Sequence, residues 1–179
     1  MQDIGESIDN NVMTCIEESE MKKLIATVFL LALPIILLSC GMSPPSAKDM
    51  ESFVNENWND ISLVNEYLLG LGDRNAIISD DDGSILIALV DQSIEDDAVR
   101  GAIRALWKSG CIGITKYNED NAITYTIWKR TFDEADCGIV YAIDHTLRPE
   151  VQFQTELVPL SGEGWYYYLA EYNKWRSEH

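Results

Sequence analysis

The sequence predicts an α+β domain, an antiparallel sheet of about five to six strands with two helices packed on one face. Three observations carry that expectation. Between Ser46 and Gly110, apolar residues recur at three- and four-residue spacing in two separate blocks, as two amphipathic helices require. From Cys111 onward the period becomes two, as strands require. Along those later runs one face is apolar and the other mixed, which suits a sheet covered by helices on a single side.

The first helix is expected to start at Ser46, where Ser46 and Asp49 follow two prolines in capping-box spacing. Met50, Phe53, Val54, Trp58, Ile61, Val64 and Leu68 then line one face until Gly70 and Gly72 stop it. Asn75 to Ser79 and Ser84 to Val90 read as a hairpin around Asp80-Asp81-Asp82-Gly83. Three adjacent aspartates invite a calcium reading, but calcium loops alternate their oxygen ligands and add a distal Glu, so a solvated turn is the expectation. The second helix repeats the start signal with Ser93 and Asp96, buries Val99, Ile103, Leu106 and Trp107, and ends at Ser109-Gly110.

Strands follow at Cys111 to Tyr117, Ala122 to Arg130, Cys137 to Ile143, Val151 to Leu160 and Trp165 to Ala170, with a short helical or frayed tail. In the second of these Ile123, Tyr125 and Ile127 share one face, leaving Thr124, Thr126 and Trp128 on the other. Trp165, Tyr166, Tyr167, Tyr168, Tyr172 and Trp175 crowd into eleven residues. Trp165, Tyr166 and Tyr168, with Thr126, Trp128 and Gln154, are the candidate ligand face for a sugar or peptide; core packing is the competing account of the same aromatics.

Ahead of the domain, Met21 to Gly41 combines a positive start at Lys22-Lys23, an apolar run from Leu24 to Leu38, and a small residue before Cys40. The apolar run spans roughly 22 Å as a helix, short of the roughly 30 Å hydrocarbon core, and Pro34 weakens it. It reads as a signal peptide. Leu37-Leu38-Ser39-Cys40 resembles the lipobox of bacterial lipoproteins. The resemblance implies that the Cys40 thiol accepts a diacylglyceryl group, that the chain is cut before it, and that the mature protein is held on a membrane by its acylated first residue. Residues 1–20 hold six acidic residues and no Lys or Arg, the wrong charge for such a leader, so translation is expected from Met21. Residues 21–39 are then the leader, 40–46 a short Pro- and Ser-containing tether, and 47–179 one α+β domain.

From Cys40 on, 11 Lys or Arg face 24 Asp or Glu, a formal charge of −13. That sign argues against nucleic acid and against lying flat on anionic lipid; it suits a basic protein partner or cations, and the solubility of an exported domain is the leading account of it. A disulfide between Cys111 and Cys137 would close a loop of about 26 residues and contribute about 3 to 4 kcal/mol. In a simple meander, however, the two cysteines begin strands separated by a third, and a bridge, two free thiols and a reactive thiol all stay open. Cys137 with His145 is the one nominal nucleophile and base pair, without a surrounding motif. No phosphate loop, GxSxG elbow, CxxC pair or HExxH motif occurs, and no cofactor or metal is implied. The expectation is a non-enzymatic, membrane-anchored envelope lipoprotein that binds a protein, an immunity-type inhibitor being one form, on the outer membrane or on the outside of the plasma membrane.

Overall fold

A computed structural model describes residues 43–81, 84–87, 92–130 and 134–179. The expected leader, Cys40, and Asp82-Gly83 of the first turn lie outside the described residues. Pro44–His179 falls into one compact unit.

Ser46 opens α1 (Ala47–Glu56) with the expected capping box: its hydroxyl accepts from the Asp49 amide at 3.3 Å, and the Asp49 carboxylate accepts from the Ser46 amide at 2.8 Å. The bond from the Ser46 side chain is the main reason that the Asp49 carboxyl lies below its ordinary range. The expected single first helix is two. At Asn57 the backbone leaves helical geometry (φ −111°, ψ 16°), and the buried Asn57 amide donates to the Phe53 carbonyl at 2.9 Å. An asparagine that competes in this way for a helical carbonyl offers the chain an alternative to continuing. The second segment, α2 (Trp58–Gly70), keeps Ile61, Val64 and Leu68 in the core, but Trp58 drops out of the stripe and is 50% exposed.

The strands are β1 (Ala76–Asp81), β2 (Ser84–Ile87), β3 (Gln92–Ser93), β4 (Gly113–Tyr117), β5 (Ala122–Arg130), β6 (Ala135–Ala142), β7 (Gln154–Pro159) and β8 (Trp165–Glu171). The helix α3 (Asp97–Lys108) stands between β3 and β4, and α4 (Tyr172–Glu178) ends the chain. All neighbours pair antiparallel in the order β3-β2-β1-β4-β5-β6-β8-β7. The α+β class expected from the sequence is therefore the observed one: six strands of five residues or more, with the shorter β2 and β3 added at one edge.

The main core lies between one sheet face and the helices α1, α2 and α3, from Met50, Phe53 and Ile61 through Ile103 and Leu106 to Ile114, Ile139 and Trp165. Tyr125 of β5 is fully buried there and donates to Asn65 Oδ1 of α2 at 2.7 Å, a polar tie between sheet and helix. A smaller cluster on the opposite face joins Ala122, Val140, Tyr168 and Ala170 under Val151, Leu157 and Tyr166. Lys116, 1% exposed, gives its ammonium to the Gly72 and Arg74 carbonyls of the turn after α2, so its buried charge is hydrogen-bonded. Among the described residues no helix is long and apolar enough to cross a membrane.

Two local irregularities change the expected faces. A bulge between Thr126 and Trp128 inserts one residue against β6, so Trp128 pairs with Cys137 and packs on the helix-side core instead of sharing a face with Thr124 and Thr126. The expected strand from Val151 begins only at Gln154, because Phe153 takes the left-handed conformation (φ 58°) and turns its ring onto Tyr172 and Trp175, with centroids 4.8 and 5.4 Å away.

Candidate functional site

Opposite the helices, Gly113, Thr126, Gly138, Tyr168 and Leu157 form one register row across β4, β5, β6, β8 and β7. Gly138 has no side chain to stand in the row, so the Thr126 and Tyr168 hydroxyls meet across β6 at 3.0 Å. The Tyr168 hydroxyl is also hydrogen-bonded to the Asp136 carboxyl. Burial is the main cause that holds the Asp136 carboxyl above its ordinary range, partly offset by Tyr168 and by the Lys129 ammonium. Burial likewise pushes Tyr168 well above the ordinary phenol range, so it serves as a hydrogen-bond donor and not as a base. One row along, the Thr115 and Thr124 hydroxyls sit 2.5 Å apart. The result is a half-buried seam of hydroxyls ending on a carboxyl.

The candidate ligand-face residues divide between the two sides of the sheet: Thr126 and Tyr168 form this seam, whereas Trp165 and Trp128 lie away from it. Trp165 is buried on the helix side, with ring centroids 6.3 Å from Trp58, 6.3 Å from Tyr125 and 4.9 Å from Tyr141. Trp128 is also on that side. Tyr166, Tyr168 and Gln154 register on the opposite face, where Tyr168 is itself 2% exposed. Adjacent strand residues point to opposite faces, and the bulge removes Trp128 as well.

Cys111 and Cys137 are free and buried. The open question of a bridge is answered by topology: β5 lies between the start of β4 and β6, and two inter-strand steps of about 4.8 Å exceed the roughly 7 Å that a disulfide spans between Cα atoms. Burial raises the Cys111 thiol to about 11 and the Cys137 thiol to about 12, the opposite of a reactive cysteine. Nor do Cys137 and His145 meet. His145 sits beyond the far end of β6, with Nε2 at 2.7 Å from the hydroxyl of Tyr141, a residue roughly 13 Å along the strand from Cys137.

His145 belongs instead to an end cluster that sequence reading missed. Asn121, left-handed at φ 54°, fixes the loop: its amide donates to the Asp144 and Leu147 carbonyls at 2.9 and 3.1 Å and accepts from the Asp144 amide at 2.6 Å. The imidazole lies edge-on to Tyr141, 3.7 Å from the Glu163 carboxylate, against Gly164, where a Cβ would come within 2.7 Å of the ring. Ser161, in the same turn, donates to the Glu51 carboxylate of α1. Beside this turn stands Trp58, half exposed yet pinned edge-to-face on Trp165. The signal for it was Asn57, a helix interrupter placed one residue before the tryptophan.

Among the described residues no group of three His, Cys, Asp or Glu is placed to hold a metal ion. The chain matches no protein-family profile, no curated protein and no solved structure.

Proposed function

We propose that this chain is a membrane-anchored envelope lipoprotein, cleaved before Cys40 and lipidated on it, whose α+β domain is a non-enzymatic module that binds a basic protein, in the manner of an immunity-type inhibitor. The anchor half of this reading rests on the order, length and charge of Met21 to Gly41 and on its Leu37-Leu38-Ser39-Cys40 ending. The anchor would hold the domain close to the exported side of the plasma membrane, or to the outer membrane where there is one.

The observation that carries the binding half is Trp58. An indole half open to solvent but fixed from below loses little side-chain freedom on binding, and tryptophan is among the commonest energetic anchors of protein interfaces. An exposed indole face also suits a partner's arginine or lysine through a cation–π contact. The chain's excess of acid extends that preference to longer range and makes association sensitive to salt.

The test uses full-length chain purified from membranes as bait in envelope extracts at low and high salt. The reading expects a basic protein to be retained at low salt, released by salt, and retained at least tenfold less by Trp58→Ala. Empty captures at low salt, or equal capture by the variant, would overturn it.

A further inference from the structure

We propose that the cleft between α2 and α3 receives an apolar side chain from a basic segment of the protein partner; this rests on the protein-binding reading above and names where part of that contact falls. Leu63, Tyr67 and Leu71 follow one another at four-residue spacing along α2 and just past its end. They form an apolar stripe at the rim of the main core, packed against it beside the fully buried Ile61, Val64 and Leu68. All three are only partly buried, and with Val99 from the first turn of α3 they floor a cleft of about 350 Å³. That volume is at the lower end of the roughly 300–1,000 Å³ typical of ligand pockets, enough for a side chain or two and not for a cofactor.

The rim gives the occupant its charge. Glu66 and Asp96 line the same cleft, both exposed. Asp96 Oδ1 is occupied as the cap of α3, accepting from the Ala98 and Val99 amides at 2.8 and 3.2 Å, which leaves its second oxygen for a visitor. Arg74 bears on Tyr67, and its Nε donates to the Leu71 carbonyl at 3.2 Å; Arg100, on the next turn of α3, is paired with Asp97. Two carboxylates around an apolar floor select a leucine or aromatic side chain flanked by Lys or Arg, and repel a second copy of this acidic chain or an anionic membrane. Tyr67 lies nine residues on from Trp58, about half a revolution around α2, so the cleft is a contact separate from the indole.

The full-length chain, ¹⁵N-labelled and held in detergent, is titrated with acetyl-Lys-Leu-Lys-amide and with acetyl-Glu-Leu-Glu-amide. Amide shifts at Leu63, Glu66, Tyr67, Leu71 and Val99 are expected with the basic peptide, which binds at least about fivefold tighter at low salt than the acidic one. The double variant Glu66→Gln/Asp96→Asn keeps an N-cap at 96 and is expected to remove that preference. No shifts at the cleft up to about 10 mM peptide, equal response to both peptides, or an unchanged preference in the double variant would overturn the cleft proposal. Basic-peptide shifts confined to Trp58 and its neighbours would overturn it while leaving the protein-binding reading standing; that reading fails separately, by the Trp58→Ala capture.

Discussion

Replacing Gly138 with alanine tests the packing of the sheet at the place where the seam of hydroxyls is built. A Cβ at 138 would stand 1.9 Å from the Tyr125 carbonyl oxygen, 3.0 Å from its carbon and 3.1 Å from the Ile127 amide nitrogen. All three are backbone atoms of β5, next to the bulge between Thr126 and Trp128, so no rotamer change relieves the overlap. The strands must part by about 1 Å, which weakens the β5–β6 ladder and draws Thr126 away from Tyr168. Overpacked cores lose about 1–3 kcal/mol where side chains can yield, so a backbone clash of this depth should cost about 3 kcal/mol or more. For a domain of this size that corresponds to roughly 10 °C in Tm. Gly101 supplies a control of opposite sign: it sits exposed inside α3 with nothing within 4 Å of an added Cβ. Gly101→Ala should stabilise by about 0.5–1 kcal/mol through helix propensity. Urea unfolding followed by tryptophan fluorescence reads both. Gly138→Ala within about 1 kcal/mol of the parent would refute the packing described at the bulge.

Alkylation under native conditions at neutral pH should leave Cys111 and Cys137 unmodified, and unfolding in denaturant without reductant should label both; failure to label them after unfolding would reinstate a bridge. Because burial raises Asp136, the folded chain keeps this proton to a higher pH than the unfolded chain, whose group titrates near 3.8. Its contribution to stability is thus fully present below that value and is lost as pH rises through the folded value. Asp136→Asn, which still accepts from Tyr168, should therefore gain stability over the parent across that window and level off above it; a pH-independent difference would contradict the assignment. Removing the cap of α3 with Asp96→Ala should cost about 1 kcal/mol in chemical denaturation, whereas Asp96→Asn should cost almost nothing.

Class and layer arrangement were legible because they depend on periodicity, which the stripe of Ile61, Val64 and Leu68 and the alternation of Ile123 and Tyr125 display directly. The helix start at Ser46 was legible for the same local reason, since its capping box closes within four residues. What sequence reading missed depends on single residues acting against the pattern around them. Asn57 splits a stripe that is apolar on both sides of it, one extra residue after Thr126 moves Trp128 to the other face, and a left-handed Phe153 shortens β7. None of the three changes the composition of its window. The scattered aromatics show why the candidate ligand face did not hold together: it assumed unbroken alternation through the bulge and grouped adjacent residues of β8, whose side chains point to opposite faces. The end cluster was illegible for a different reason, because Asn121, His145 and Gly164 are joined only by a loop held in place through side-chain to backbone bonds.

The proposed anchor would decide where any binding face operates, and intact mass spectrometry of the protein extracted from membranes tests it most directly. The account predicts a chain that has lost residues 1–39 and carries a diacylglyceryl group on Cys40, with both the acyl mass and the cleavage before residue 40 abolished by Cys40→Ala. An extracted chain of uncleaved, unmodified mass would contradict it.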